Sequence, residues 1–129
     1  MVLTEKDTLT TLEAARVIGR ITSQKPGPTL VFFGGIHGNE PAGVRALEEA
    51  FRKLKSGEAS LDSGTLIAIR GNLPALSQKQ RFLRHDLNRL WGKNRLQEAL
   101  EKPQDKRSPE EKELAVLYTG VHEILKQHA

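Results

Sequence analysis

The sequence predicts an α/β fold in which a mixed, mostly parallel sheet is flanked by helices. Short apolar runs alternate along the chain with longer stretches whose apolar residues recur at helical spacing. Polar segments rich in glycine and proline separate these runs, as turns between strands and helices require. The chain has 129 residues, of which 37% are hydrophobic and 28% charged, so we expect a single domain over residues 1–129.

The predicted elements follow in order after a polar stretch, residues 1–13, that we expect to be flexible. An unbroken apolar run predicts that the second strand is buried on both faces. Asn39 is a suitable N-cap for the helix that follows, and Ser108 with Glu111 has the spacing of a capping box for the last helix. The predicted strands are residues 15–22, 30–33 and 65–70. The predicted helical segments are residues 40–55, 74–78, 94–100 and 108–127.

Composition limits the classes of function. The chain contains no cysteine, which excludes disulfides, thiolate metal sites and cysteine nucleophiles. No apolar stretch is long enough for a signal peptide or a membrane span, so we expect a cytoplasmic protein without a membrane partner. The net charge is +4 and the pI is about 9.6, which favours anionic partners without identifying them.

One histidine and one glutamate stand where the second strand gives way to a helix. His37 would lie just past the strand, and Glu40 would lie in the first helical turn close to it. An imidazole and a carboxylate together suit Zn²⁺, whose catalytic sites commonly have three protein ligands. Alternatively, Glu40 complements the positive end of the helix dipole and His37 is a polar loop residue. The spacing alone leaves both interpretations open.

A basic segment, residues 79–95, follows the third strand and carries Phe82 and Trp91 among its cations. Ligands gather at the carboxyl ends of strands in α/β sheets, so this loop and His37 are expected to share one cleft. The arginines of the segment could bind an anionic substrate, or they could be surface charges, for instance Arg89 paired with Asp86. We interpret Asp86 as an acceptor that holds the loop, and Leu87 and Trp91 as packing residues.

Three segments in sequence, residues 34–40, 71–75 and 81–89, resemble the succinylglutamate desuccinylase and aspartoacylase family, which is related to the zinc carboxypeptidases. The resemblance implies a zinc carboxypeptidase-like fold, and it implies that His37 and Glu40 are zinc ligands. It also implies that a small set of residues binds the substrate or shapes its site. These substrate-binding residues are Arg81, Asn88, Arg89 and Asn72.

The implied activity is that of a zinc-dependent deacylase, an amidohydrolase that cleaves the amide bond of small anionic N-acyl amino acids. The family takes its third zinc ligand from a later Asp-x-His motif and its general base from a glutamate further downstream, and this chain contains neither in recognisable form. The resemblance therefore indicates an amino-terminal portion, with the general-base glutamate expected beyond Ala129. His85 is a remaining candidate ligand, whereas His122 and His128 are six residues apart and would point to different helix faces.

Two alternative functions remain at this point. The chain could be a noncatalytic remnant that keeps only an anion-binding pocket, or it could bind nucleic acid through the basic, aromatic-bearing loop. The second is disfavoured because the cations are concentrated in one short loop without an RNA-binding motif. An incomplete sheet would expose an edge strand, so we also expect self-association into a homo-oligomer. The sequence does not identify the acyl group or the amino acid.

Overall fold

The computed structural model describes residues 15–127, so the expectations for residues 1–13 and for His128 lie outside the described residues. Strands and helices alternate through most of the chain, as predicted, and two 3-10 turns, Leu87–Arg89 and Gln104–Lys106, interrupt the loops. The strands are β1 (Val17–Thr22), β2 (Thr29–Gly34) and β3 (Thr65–Arg70). The helices are α1 (Ala42–Ser56), α2 (Leu73–Gln78), α3 (Lys93–Glu101) and α4 (Pro109–Gln127).

The three strands form one mixed sheet in the order β1-β3-β2. The central strand β3 pairs antiparallel with β1 and parallel with β2, where Val31 lies opposite Ile67 and Phe33 opposite Ile69. The predicted α/β class and mixed sheet are confirmed, with one parallel and one antiparallel pairing among the described strands. No helix among residues 15–127 is both long enough and apolar enough to cross a membrane.

Strand β2 differs from the prediction that it would be buried on both faces. It pairs only with β3 among the described strands and forms an edge, where the relative exposure of Leu30 is 52% and that of Phe32 is 45%. The apolar run is typical of a strand whose two faces are both covered by helices, but the alternating residues Leu30 and Phe32 lie on a face of β2 that the described helices leave partly open. Among the described strands, β2 also forms a sheet edge of the kind expected from the sequence.

Helices pack on both faces of the sheet, although they leave β2 partly exposed. On one face, α4 packs the fully buried Leu114 and Leu117 against Ile67 and Ile69 of β3, and Leu87 of the basic segment joins this cluster. On the other face, α1 contacts β1 and β2. Alternate residues of a strand point to opposite faces, so β3 lies between the two helical layers and directs side chains toward both. The loops at its carboxyl end start from this packed strand.

The starts of two helices test the capping predictions. Helix α4 has the predicted capping box, in which Glu111 N–H donates to Ser108 Oγ over 3.2 Å and Ser108 N–H donates to Glu111 Oε1 over 2.9 Å. The prediction for α1 is wrong, because its N-cap is Pro41 and not Asn39. Glu40 instead ends a tight turn in which its N–H donates to His37 O over 3.2 Å, so the helix begins only at Ala42.

Lys79 ends helix α2 in an unfavourable backbone conformation, with φ at +55°. A left-handed conformation costs a residue with a Cβ roughly 1–2 kcal/mol, while glycine adopts it freely. We expect Lys79→Gly to raise the free energy of unfolding by roughly 0.5–1 kcal/mol, measured by urea denaturation. Gln80→Gly is the matched control, since it adds the same chain flexibility at a position without positive φ. Equal destabilisation by both substitutions would contradict the expectation.

Candidate active site

The carboxyl ends of β2 and β3 bring two distant parts of the sequence together, as predicted. The parallel pairing continues past the strands, because Gly71 N–H donates to Gly34 O over 2.8 Å and Asn72 N–H donates to Gly35 O over 2.9 Å. Further along, Gly38 N–H donates to Arg81 O over 3.2 Å. The loop that follows β2 therefore lies directly against the segments that follow β3.

His37 is held between two carboxylates. Its Nδ1 lies 3.0 Å from Glu40 Oε2, and its Nε2 lies 2.9 Å from Asp86 Oδ1. The ring is largely buried, with 14% of the side chain exposed, whereas the Glu40 side chain is mostly exposed. The predicted proximity of His37 and Glu40 is present, and the contact with Asp86 fixes which ring nitrogen faces Glu40.

Asp86 does more than the sequence indicated. As predicted, it is an acceptor that holds the loop, since Asn88 N–H donates to its Oδ1 over 3.0 Å. Burial opposes ionisation of Asp86, but the hydrogen bonds from His37 and from Asn88 N–H, with the charge of Arg81, outweigh it and lower its pKa. A carboxylate on the far nitrogen of a histidine orients the ring, which is a property that a metal-binding histidine needs.

Two arginines of the basic segment flank this group. Arg81 Nη1 lies 3.2 Å from Glu40 Oε2, and its Nη2 lies 3.7 Å from Asp86 Oδ2. Arg89 is 83% exposed, and its Nε is 3.9 Å from Asp86 Oδ2, at the limit of an ion pair. Asn88, which precedes Arg89 in the sequence, is exposed. The guanidinium of Arg89 is therefore largely free to bind an anion, while that of Arg81 is shared with the two carboxylates.

Glu110 holds the basic segment in place, and sequence reasoning missed it. The residue has no exposed surface, and its carboxylate accepts hydrogen bonds from Asn72 Nδ2 and from the backbone N–H groups of Leu83, Arg84 and His85, at 2.9–3.0 Å. Burial alone would raise its pKa, but these donors outweigh burial and lower it. Its position beside the capping residue Glu111 gave no signal of this role.

Asn72 is fully buried and caps helix α2, with its Oδ1 accepting from Ala75 N–H over 3.3 Å. Its amide donates to Glu110, so the structure gives it a role in shaping the site. Its predicted contact with substrate stays a prediction. Leu87 and Trp91 are packing residues, as predicted, since Leu87 is buried and the rings of Trp91 and Phe33 lie 6.2 Å apart.

The donor set fits part of a zinc site. His37 Nδ1 and Glu40 Oε2 converge and are the borderline and hard donors that zinc accepts together. Within residues 15–127 no group of three histidine or acidic side chains is arranged to hold a metal ion. His85 contributes its backbone N–H to Glu110, and His122 stacks on Tyr118 with ring centroids 5.8 Å apart. Neither belongs to a group of three metal-ligating side chains among the described residues.

Comparison with known proteins identifies the family of the chain. The family model of the succinylglutamate desuccinylase/aspartoacylase catalytic domain matches residues 26–123, which include every residue of the site. The chain belongs to this family. The catalytic-domain match therefore covers both strand ends, the basic segment and most of α4.

Members of the family that resemble the chain include two succinylglutamate desuccinylases. That of Photorhabdus laumondii is 39% identical over 79 residues, which is 61% of this chain and 24% of the relative. That of Pseudomonas paraeruginosa is 38% identical over the same length, again 61% of this chain and 24% of the relative. The chain thus spans about a quarter of the length of these curated relatives.

A solved structure shares the fold. The crystal structure of the succinylglutamate desuccinylase from Chromobacterium violaceum superposes with a TM-score of 0.58 and 25% sequence identity. The match covers 74% of this chain and 28% of that chain. The α/β architecture predicted from the sequence is therefore that of a desuccinylase, and the chain corresponds to a portion of it.

Proposed function

We propose that this chain carries part of the active site of a zinc-dependent deacylase that cleaves the amide bond of small N-acyl amino acids. The observation that carries the proposal is the position of His37, whose two ring nitrogens face Glu40 and Asp86 beside Arg81. The family match and the names of its members supply the reaction class. A cytoplasmic location is part of the same proposal.

His37 Nδ1 and Glu40 are the residues that would hold the zinc ion. Bound zinc would supply Lewis acidity toward the acyl carbonyl and toward a water molecule. Asp86 would keep the imidazole oriented. Arg89, whose guanidinium is exposed, would bind a substrate carboxylate through two parallel hydrogen bonds. Asn88 and Arg81 would donate hydrogen bonds to the carbonyl oxygen of the amide as negative charge develops on it. A third ligand and a general base are still required.

A noncatalytic anion-binding module of the same fold is the second candidate. The incomplete set of metal donors within residues 15–127 favours it, because two ligands would hold zinc weakly. In that case the arginine-bearing segment would bind carboxylates without hydrolysis. Nucleic-acid binding has no comparable support, since Glu40 and Asp86 share the charge of Arg81. Self-association through the exposed edge of β2 is proposed for either function.

Zinc binding tests the proposal. We expect the purified chain to bind one zinc ion in isothermal titration calorimetry, and we expect His37→Ala and Glu40→Gln each to weaken binding by about tenfold or more. Asp86→Asn should weaken it less, because the residue acts through His37. His122→Ala is the matched control and should leave binding unchanged, since His122 stacks on Tyr118 away from the pair.

Activity separates the two candidates. Because a third ligand and a general base are still required, the assay uses a protein that supplies both together with this chain. Under the deacylase proposal it should release succinate from N-succinylglutamate in the presence of zinc, with loss of activity in Arg89→Gln. Binding of the substrate without release of succinate would leave the anion-binding module. If the His37→Ala variant and the His122→Ala variant bind zinc with equal affinity, there is no metal site at His37. The deacylase proposal would then fail.

A further inference from the structure

The carboxylate of Glu110 fills an anion-binding nest in the segment that leads to Asp86. Residues 81–86 contain no helix or strand. Three consecutive backbone N–H groups within them converge on the carboxylate at 2.9–3.0 Å, which is the arrangement of a backbone nest for an anion. The side-chain amide of Asn72 is a fourth donor, at 2.9 Å. The three backbone donors belong to Leu83, Arg84 and His85.

An ionised carboxylate is the side-chain group that satisfies these donors fully. Each oxygen of Glu110 accepts two hydrogen bonds, which uses the four acceptor positions that a carboxylate offers. The side chain has no exposed surface, so its removal would leave the donors buried without partners. The requirement for two acceptor oxygens explains why a charged side chain occupies a fully buried position.

The nest lies one residue from a contact of the proposed zinc site. Its last donor, His85, precedes Asp86, whose Oδ1 lies 2.9 Å from His37 Nε2. At the other end of the segment, Arg81 O accepts from Gly38 N–H over 3.2 Å. Hydrogen bonds of this kind have lengths of about 2.7–3.2 Å, so a shift of roughly 1 Å in the segment would break the contact with His37.

Helix α4 gives the nest a fixed position relative to the sheet. Leu114 and Leu117 of the helix are fully buried against β3, the strand that precedes the segment. Glu110 lies one turn before Leu114, so the position of the packed helix determines the position of the nest. Asp86 and His37 are therefore both placed relative to the same sheet, Asp86 through α4 and His37 through β2.

We propose that Glu110 is a positioning residue for the zinc site, which acts through the amide nest at residues 83–85 to keep Asp86 on the ring of His37. The inference rests on the proposed deacylase function, because that function assigns His37 to the metal. The four hydrogen bonds of Glu110 go to the nest and to Asn72, so its effect on zinc passes through the segment. A small carboxylate bound in the same nest would then replace the side chain.

Chemical rescue by acetate tests the proposal. Acetate has the same heavy atoms as the part of the side chain that Glu110→Ala removes. Before acetate is added, Glu110→Ala should lose the ring Nε2–H signal of His37 in ¹H–¹⁵N NMR spectra, and it should bind zinc more weakly by about the same factor as Asp86→Asn. Acetate up to about 100 mM should restore both, each compared with the unmodified chain at the same acetate concentration. Acetamide, which has the same shape without the charge, should restore neither.

Glu113→Gln is the matched control for loss of stability. Glu113 is a second buried acid on α4, one turn after Glu110, and its carboxylate accepts from Arg16 and from Leu73 N–H instead of from the nest. We expect this variant to be less stable than the unmodified chain, yet to keep the His37 signal and the zinc affinity with or without acetate. Loss of both in Glu113→Gln would show a general loosening of the fold and would overturn the proposal.

Glu110→Gln covers the case in which Glu110→Ala does not fold. It keeps the size of the side chain, and in the folded chain we expect it to weaken the His37 signal and zinc binding in the same direction as Glu110→Ala. An unchanged His37 signal and zinc affinity in either folded variant would overturn the proposal. Equal rescue of Glu110→Ala by acetate and acetamide would overturn it as well.

The zinc site and the positioning role fail separately. If the unmodified chain binds no zinc at His37, but the Nε2–H signal depends on Glu110 and returns with acetate, the deacylase proposal is rejected and the positioning of His37 stands. If the unmodified chain binds zinc and the two Glu110 variants bind it equally well, only the positioning role is rejected.

Discussion

Glu110→Gln is expected to lower the free energy of unfolding by roughly 2–4 kcal/mol. The carboxylate accepts four hydrogen bonds in a position without solvent access. Glutamine has the same size but offers one acceptor oxygen, and its NH₂ group would face donors from the backbone. Urea denaturation monitored by circular dichroism measures the loss.

The exposed Glu98 on helix α3 provides the control. Glu98→Gln removes the same charge without breaking a side-chain hydrogen bond, and we expect a change within about 0.5 kcal/mol. If the two substitutions had equal effects, Glu110 would not be the residue that holds the basic segment.

The same carboxylate gives the sign of a pH dependence. The pKa of Glu110 is lowered in the folded protein from its ordinary value of 4.5, so the folded state favours the ionised form. This stabilisation is fully present above the unfolded pKa and is lost as the pH falls through the folded pKa. The difference in stability between the wild-type chain and Glu110→Gln should therefore shrink as the pH drops below about 4.5.

Gly38→Ala is the second substitution with a large expected effect. A Cβ at this position would lie 2.1 Å from Ala75 C and 2.4 Å from Gln80 O, and backbone atoms cannot move aside as a flexible side chain can. We expect a loss of roughly 3 kcal/mol in the free energy of unfolding, together with loss of zinc binding, because His37 and Glu40 flank the displaced residue.

Gly92→Ala is the matched control, since no atom lies within 4 Å of the added Cβ and φ there is negative. Its thermal unfolding temperature should stay within a few degrees of that of the unmodified chain. A Gly38→Ala chain as stable as Gly92→Ala would show that the loop and helix α2 are not in the close contact described above.

Local patterns predicted much of the fold because hydrophobic spacing and capping residues act over short distances. The strand at residues 65–70 has the predicted bounds, and the capping box at Ser108 and Glu111 is present. The burial of β2 was not predictable in this way. An apolar run shows that a strand can be covered on both faces, but whether helices extend over each face depends on how elements distant in the sequence pack on the sheet.

The proximity of the candidate site residues was predictable in part. The resemblance named His37, Glu40, Arg81 and Arg89, and the structure places His37 and Arg81 against Glu40 and Arg89 near Asp86, while their roles stay predictions. The contact between Asp86 and His37 joins residues 49 positions apart, so no local spacing could reveal it. Glu110 was missed for the same reason, since its partners lie 25 or more positions away.

Helix α4 has a consequence for motion in the basic segment. Glu110 binds Asn72 and the three amides at Leu83, Arg84 and His85, and Glu113, one turn later on the helix, binds the buried Arg16 and Leu73 N–H. These loop amides should therefore exchange with deuterium slowly, at rates set by the opening of α4 and not by the flexibility usual for loops. The segment would behave kinetically as part of the helix that holds it.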